Sequence, residues 1–337
     1  MATAVTLVFL LLAALGAPRP ARAQEDQLNQ VHVQPPAPKP APNTAPPAVE
    51  GKQGLSARPG ERYRVNVNLV LIPVTVTDPM DRLVTGLEKN NFYIYEDNHP
   101  QTITSFSMQD APVSIGIIFD MSGSMADKII RARDSILTFL KTSNPQDEYF
   151  VIAFNDRPQL IEDFTSSPEK IESRLANVKA GHRTALLDAI YYGLDKMKQA
   201  KYERKALLVV SDGGDNRSRY TENEIREAVR ESDVQIFSIG IFDPEAATPE
   251  ERLGPVLLYD ISESSGGRLF KVDDLAEMGD VAEKISAELR NEYVLGYSPT
   301  NKKHNGKWRK VKVKLVPPPG LPQLTVHARN GYYAPLQ

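Results

Sequence analysis

The sequence predicts an α/β fold in which a doubly wound, mostly parallel sheet is inserted into, or flanked by, a small β-sandwich-like domain. Strands alternate with helices over residues 111–290, which is the pattern of a parallel sheet covered by helices. Strand-like stretches lie on both sides of this region, and neither side has enough strands for a stable sandwich. We therefore expect residues 61–110 to pair with residues 291–337 as one discontinuous β domain.

The first 60 residues are expected to lie outside the folded body. Residues 4–16 (AVTLVFLLLAALG) are apolar, no Lys or Arg precedes them, and Ala21 and Ala23 match a cleavage site. We interpret residues 1–23 as a signal peptide, with an uncleaved anchor as the alternative. Residues 24–60, rich in Pro and Ala, are predicted to be a disordered linker. The prediction is export to the periplasm, cell envelope or extracellular space, with no transmembrane span after cleavage.

Composition excludes several classes of function. The 337-residue chain has no cysteine, which excludes disulfides, thiol catalysis, thiolate zinc sites and iron–sulfur clusters. Forty Lys and Arg against forty-three Asp and Glu give a net charge of −3, so no overall charge bias indicates nucleic acid or a membrane surface as partner. The five histidines show no metal-ligand spacing, and we interpret them as loop or surface residues.

The N-terminal β segment predicts several short strands. Residues 65–69 alternate polar and apolar side chains, and residues 70–77 continue as a β-branched run in which Pro73 indicates an edge strand or a bulge. Residues 92–95 and 102–106 predict two further strands around a polar turn.

The α/β region predicts six strands and six helices. The strands are expected at 114–119, 149–154, 159–163, 206–210, 234–241 and 268–272. The helices are expected at 126–141, from 167, 185–198, from 221, 255–263 and 275–289. Ser167 followed by Pro168 is a helix start, and Thr221 with Glu224 forms a capping box. The all-apolar stretch 206–210 indicates a strand buried on both faces.

The C-terminal β segment predicts strands at 293–297, 308–316 and 324–328. Within the second of these, Lys310, Lys312 and Lys314 alternate with apolar residues. This pattern indicates either a binding stripe for an anionic partner or a solvated or protected sheet edge. Tyr332 and Tyr333 are interpreted as packing or strand residues.

Five oxygen-bearing side chains fall where strands end and helices begin. They are Asp120, Ser122, Ser124, Thr184 and Asp212. Ligands of parallel α/β sheets gather beyond the carboxyl ends of the strands, so a shared site is expected. Two carboxylates and three hydroxyls suit Mg²⁺, with Ca²⁺ or Mn²⁺ possible. Because the site supplies limited negative charge, we predict that the ion recruits an Asp or Glu carboxylate from a partner protein.

The order and spacing of these residues resemble the metal-ion-dependent adhesion site of von Willebrand factor type A domains, which have a Rossmann-like fold. The body of the chain, including the terminal RNGYYAP, is similar to the exported VWFA-related family known from Acidobacteria. The resemblance implies that Ser122 and Ser124 ligate the metal directly, and that Asp120 and Asp212 do so directly or through water. It implies that Thr184 joins directly only in an open, high-affinity state.

The sequence departs from that pattern at a few positions. Ser211 stands where Thr is frequent, a change expected to matter little. His182 and Arg183 occupy positions often taken by Gly, and Arg183 is expected to repel or reshape an approaching cation. Residues 212–216 (DGGDN) resemble part of a calcium loop but lack the Glu that would complete an EF-hand.

The expected function is an exported protein-binding, adhesion or scaffold module without enzymatic activity. The alternatives are a Mg²⁺-dependent hydrolase and an envelope-complex scaffold whose metal is purely structural. A phosphohydrolase with Asp120 as nucleophile would need a second Asp at the position of Ser122, and Ser122 lacks a Gly-x-Ser-x-Gly elbow. A site without metal, in which Ser124 caps a helix, is the other alternative.

Overall fold

The computed structural model describes residues 69–243 and 248–336. The described strands are β1 (Val70–Thr77), β2 (Phe92–Glu96), β3 (His99–Gln101), β4 (Ile103–Ser107), β5 (Ser114–Asp120), β6 (Glu148–Phe154), β7 (Pro158–Thr165), β8 (Lys205–Ser211), β9 (Val234–Gly240), β10 (Leu269–Lys271), β11 (Tyr293–Tyr297), β12 (Trp308–Leu315), β13 (Thr325–Ala328) and β14 (Gly331–Tyr333). The helices are α1 (Ile129–Thr142), α2 (Pro168–Ala176), α3 (Leu186–Lys196), α4 (Glu222–Glu231), α5 (Pro249–Ser265) and α6 (Met278–Arg290). The predicted signal peptide, the linker and most of the strand expected at 65–69 lie outside the described residues.

A six-stranded sheet with the order β10-β9-β8-β5-β6-β7 forms the centre of the α/β domain. All neighbouring pairs are parallel except β6 and β7. The strand order reverses between β5 and β8, because the chain proceeds from β5 toward β6 and β7 and then returns to the other side of β5. The doubly wound, mostly parallel fold predicted from the sequence is confirmed.

Helices cover both faces of this sheet. One core cluster joins the sheet to α1, α2 and α6, and a second joins it to α3, α4 and α5. All seven residues of β5 are buried, as expected for a strand with helices on either side. No helix in the described residues is long and apolar enough to cross a membrane.

Two four-stranded antiparallel sheets form a sandwich beside the α/β domain. Their orders are β13-β1-β11-β4 and β14-β12-β2-β3, so each combines strands from both ends of the chain. Ile72, Phe92, Tyr293 and Val311 belong to the shared core. β4 and β11 are antiparallel neighbours, and the whole α/β domain is the connection between them.

Arg204 contacts both segments that connect the β domain to the α/β domain. Its Nη1 donates to the carbonyl of Ala111 at 2.8 Å, and its Nη2 donates to Glu292 Oε2 at 2.8 Å and to the carbonyl of Leu289. The Glu292 side chain is fully buried. A second pair, Arg290 with Asp110 at 2.8 Å, lies across the same connection.

Helix α5 begins earlier than the sequence predicted. The expected start at residue 255 is wrong, because Thr248 and Glu251 form a capping box that begins the helix at Pro249. Pro255 lies inside the helix rather than in its first turn. Strand β3 lies within a stretch predicted as a turn, and Tyr332 and Tyr333 belong to β14.

The prediction that Pro73 marks an edge strand is wrong for β1, which lies between β13 and β11. Pro73 is opposite Val294 of β11, whereas the pairing with β13 begins only at Val74. At Pro73 the strand therefore has a neighbour on one side only. A strand tolerates the missing N–H of proline in that setting.

Candidate functional site

The structure places the predicted site residues around the carboxyl ends of β5 and β8. Asp120 is the last residue of β5, and Asp212 follows the last residue of β8. These two strands are parallel neighbours at the point where the strand order reverses. A doubly wound sheet opens its ligand crevice at this point, because the connections leave to opposite faces.

Asp120 is a buried carboxylate held at both oxygens. Its Oδ1 accepts from the backbone N–H of Ser122 at 2.8 Å, and its Oδ2 accepts from the Ser211 hydroxyl at 2.5 Å. Burial, reinforced by the charge of Asp212, raises the pKa of Asp120 to about 7, although the two serine contacts lower it. A cation at this position would stabilise the ionised form of Asp120.

Ser122 and Ser124 present their hydroxyls together. The two Oγ atoms lie 3.1 Å apart, on either side of Gly123 at the start of a short 3-10 turn. Ser122 is buried and Ser124 is exposed. The pair therefore extends from the buried carboxylate to the protein surface.

Backbone hydrogen bonds hold the loop that carries Thr184 against the loop after β5. Gly123 N–H donates to the carbonyl of His182 at 3.0 Å, and Gly181 N–H donates to the carbonyl of Met121 at 2.9 Å. Thr184 itself is buried. Its N–H donates to Asn216 Oδ1 at 3.1 Å, and its carbonyl accepts from Asn216 N–H at 3.0 Å. Asn216 thus joins the loop of Thr184 to the loop after Asp212.

Asp212 lies beside a lysine that the sequence did not indicate. Lys128 Nζ is 3.8 Å from Asp212 Oδ2 and donates to the carbonyl of Ile241 at 3.1 Å. The next residue, Gly213, has φ +79°, and a Cβ there would lie 2.7 Å from the Gly254 Cα. The loop can therefore take this path only with glycine, because two backbones are in contact.

The departures at His182 and Arg183 are both exposed. His182 has φ +73°, and its Nδ1 lies 3.4 Å from Asp156 Oδ2. Arg183 N–H donates to Asp156 Oδ1 at 3.2 Å. Asp156 therefore holds this turn where the pattern more often has glycine, and the predicted effect of Arg183 on a cation stays a prediction.

Asp215, the second Asp of the DGGDN stretch, holds the start of helix α3. Its Oδ2 accepts from Leu187 N–H at 2.9 Å and from the Ser218 hydroxyl at 2.5 Å. Its carboxylate is thus used to cap α3, where unpaired N–H groups favour an acceptor.

The donor set of the candidate site fits a hard divalent ion. It combines two carboxylates with three hydroxyls, all oxygen ligands of the type Mg²⁺ prefers. The described residues contain no group of three or more His, Cys, Asp or Glu able to hold a metal, so the hydroxyls are essential to this candidate. Ser211, whose replacement of Thr is predicted to matter little, supplies a hydroxyl to Asp120. Sequence reasoning gave no role to Lys128, and it noted Asn216 only as part of the DGGDN stretch.

Part of the chain is similar to known proteins. Residues 115–214 match the family model of the von Willebrand factor type A domain, a range that includes all five predicted site residues. An uncharacterized protein of Borreliella burgdorferi is 22% identical over 188 residues, which are 49% of this chain and 55% of that protein. The chain thus matches little more than half the length of this curated relative.

Two solved structures are similar to part of this chain at low sequence identity. A von Willebrand factor type A protein from Catenulispora acidiphila has 13% identity and a TM-score of 0.46, covering 74% of this chain and 76% of its own. The vWF domain of the type V pili tip protein Mfa5 from Porphyromonas gingivalis has 11% identity and a TM-score of 0.44, covering 54% of this chain and 97% of its own.

Proposed function

Because residues 115–214 form a von Willebrand factor type A domain, we propose that this chain is a protein-binding module that holds an acidic side chain of a partner through a divalent ion. The proposed ligands of the ion are Asp120, Ser122, Ser124, Thr184 and Asp212. The observation that carries the proposal is the buried Asp120 carboxylate beside Asp212, with the hydroxyl pair of Ser122 and Ser124 leading from it to the surface.

Charge balance favours a cation at this site. Asp120 is buried and is repelled by the negative charge of Asp212. Keeping both carboxylates ionised costs folding free energy unless a cation compensates their charge. Lys128 compensates Asp212 only in part, since its ammonium is 3.8 Å away and is shared with the carbonyl of Ile241. Mg²⁺ is the proposed ion, with Ca²⁺ or Mn²⁺ as alternatives.

The surrounding residues orient the proposed ligands. Ser211 and the Ser122 N–H fix the Asp120 carboxylate, and Asn216 fixes the loop of Thr184. The bound ion would supply the positive charge that attracts an external carboxylate. Ser124 is the exposed member of the set, so a partner is proposed to approach from its side.

A binding role fits the serine contacts better than catalysis does. The hydroxyl of Ser122 pairs with that of Ser124, whereas a nucleophilic serine needs an adjacent base. We propose that the chain is not an enzyme. On the basis of the predicted signal peptide, we place this binding function in the periplasm, the cell envelope or the extracellular space.

Metal binding is tested first, by calorimetric titration of the purified protein with Mg²⁺ and Mn²⁺. We expect binding by the wild type and none by Asp120→Ala or Ser124→Ala. Asp127→Ala is the matched control, since Asp127 is exposed, close in sequence and outside the ligand set. Absence of binding at millimolar metal, or equal binding by the Asp120 variant, would overturn the metal site.

Partner capture is tested second, from envelope extracts containing Mg²⁺ or EDTA. A partner held through the ion is expected with the wild type and Mg²⁺, and it should be lost with EDTA and with Asp120→Ala. Equal recovery in all three would rule out a partner held through the ion. Blocking the acidic side chains of the captured partner by amidation should also abolish its binding.

A further inference from the structure

The outer face of the sheet β14-β12-β2-β3 carries lysines beside tyrosines. We name it the basic–aromatic face and define it by Lys310, Lys312 and Lys314 of β12 together with Tyr93 and Tyr95 of β2. The three lysines are exposed, and Tyr93 is 49% exposed. The face is open to solvent and is separate from the candidate metal site.

Strand alternation produces this face. Arg309 and Val311 point into the sandwich and are buried, so the lysines between and after them must point outward. β12 lies between β14 and β2, but β14 pairs only with residues 308–310 and β2 with residues 311–315, so Lys312 and Lys314 have a paired strand on one side only. The interpretation of the lysines as a sheet edge therefore stands for Lys312 and Lys314, and all three side chains project from the outer face of the sheet, where a partner can also reach them.

The strand register sets the lysines and tyrosines side by side. Lys312 is opposite Tyr95 and Lys314 is opposite Tyr93 in the antiparallel pair of β12 and β2. The Lys314 ammonium also lies 4.8 Å from the centre of the Tyr95 ring. Alternate residues of a strand are about 7 Å apart, so the three ammonium groups form a line about 14 Å long with aromatic rings along it.

The positive charge of this face is not neutralised by neighbouring carboxylates. Glu96, on the adjacent strand, is buried and pairs inward with Arg309. Among the described residues, no carboxylate forms an ion pair with Lys310, Lys312 or Lys314. The Asp97 carboxylate accepts from the Lys310 backbone N–H at 2.9 Å.

From this arrangement we propose that the basic–aromatic face binds an anionic polysaccharide. A line of evenly spaced cations on a flat face complements the repeated charges of a linear polymer rather than a compact ligand. Tyrosine rings present an apolar face and a polar hydroxyl, which suit the faces and hydroxyls of sugar rings. A chain exported as the sequence predicts would meet cell-surface glycans.

The proposal is tested with polygalacturonate, a linear polymer with one carboxylate per sugar, and its fully methyl-esterified form as the uncharged probe. Binding is measured by calorimetry at low and high salt. The test variant replaces Lys310, Lys312 and Lys314 with Gln. The matched control replaces Lys302, Lys303 and Lys307, which are also exposed and precede the same strand, and so changes the net charge equally.

We expect the wild type to bind polygalacturonate and not its methyl ester. The test variant should bind roughly a hundredfold more weakly, because three lysines at about 1 kcal/mol each contribute about 3 kcal/mol at a charged surface. The control variant should remain within about threefold of the wild type, and binding should weaken as salt rises. Tyr93→Ala should weaken binding without changing its salt dependence, because it removes a ring and no charge.

Three results would overturn the proposal. The first is no binding of polygalacturonate at low salt. The second is an equal loss in the test and control variants, which would show that only total charge matters. The third is tighter, lysine-dependent binding to single-stranded DNA or to phosphatidylserine vesicles, which would assign the face to another class of macromolecule. Metal binding at the Asp120 site is expected to be unchanged in the lysine variant.

Discussion

Replacement of Arg204 by methionine is expected to destabilise the junction between the two domains. Arg204 is the ion-pair partner of Glu292, whose side chain is fully buried, and its guanidinium also binds the carbonyls of Ala111 and Leu289. Methionine fills a similar length without charge. The change therefore leaves a buried carboxylate with Gln235 Nε2, at 2.6 Å, as its remaining partner.

The expected loss is about 3–5 kcal/mol in the free energy of unfolding, the usual cost of removing one partner from a buried ion pair. The loss should depend on pH. Burial raises the pKa of Glu292, and Arg204 opposes that rise. When folding raises the pKa of a carboxyl group, the protein becomes less stable as pH rises from the pKa of the unfolded state to the pKa of the folded state. Without Arg204 the folded pKa is higher still, so the variant should lose more at pH 8 than at pH 5.

Urea unfolding at both pH values measures these losses. Arg290→Met is the matched control: Arg290 lies in the same junction, but its pair with Asp110 is partly exposed and should cost less than about 1 kcal/mol. The double variant with Glu292→Gln should recover part of the loss, because it removes the orphaned charge. Equal losses at pH 5 and pH 8, or no recovery in the double variant, would refute the argument from the buried charge.

Three further outcomes are expected in urea unfolding. In EDTA at pH 8, Asp120→Asn should be about 1–3 kcal/mol more stable than the wild type, because it removes one of two neighbouring buried charges. Added Mg²⁺ should stabilise only the wild type. A variant less stable than the wild type in EDTA would contradict this reasoning. Gly213→Ala should cost about 2–4 kcal/mol, from the positive φ and the overlap with Gly254, whereas Gly181→Ala, with open space around it, should be nearly neutral. Burial raises the pKa of Glu288 to about 7, against 4.5 in the unfolded chain, so the free energy of unfolding of the wild type should fall as pH rises from 4.5 to 7. Glu288→Gln should reduce that slope by up to about 1.4 kcal/mol per pH unit. An unchanged slope would contradict the assignment to Glu288.

The α/β domain is inserted between two neighbouring strands of the β domain, so a conformational change at the candidate metal site could reach the β domain through these strands. β4 leads into the domain and β11 leaves it, and the two are hydrogen-bonded to each other. Helix α6 ends at Arg290, and β11 begins at Tyr293. A movement of α6 would therefore act directly on β11, against the resistance of the Arg204 contacts.

Local patterns in the sequence determined most elements of the α/β domain. The apolar run before Asp120 predicted β5 almost residue for residue, and the capping box at Thr221 located the start of α4. These signals are readable because burial and capping depend on near neighbours in the chain. The start of α5 differs from the expected residue 255 although its capping box at Thr248 is equally local.

The sequence by itself also determined the candidate ligands, since Asp120, Ser122 and Ser124 adjoin one strand end and Asp212 adjoins another. Only the tertiary structure decided how their charges are balanced. Ser211 lies 91 positions from the Asp120 carboxylate it contacts, and Lys128 bonds a carbonyl 113 positions away. It also decided that β12 pairs with β14 and β2 and that its lysines form an exposed face. These features depend on which strands become neighbours, and that is set by packing over the whole chain rather than by any local pattern.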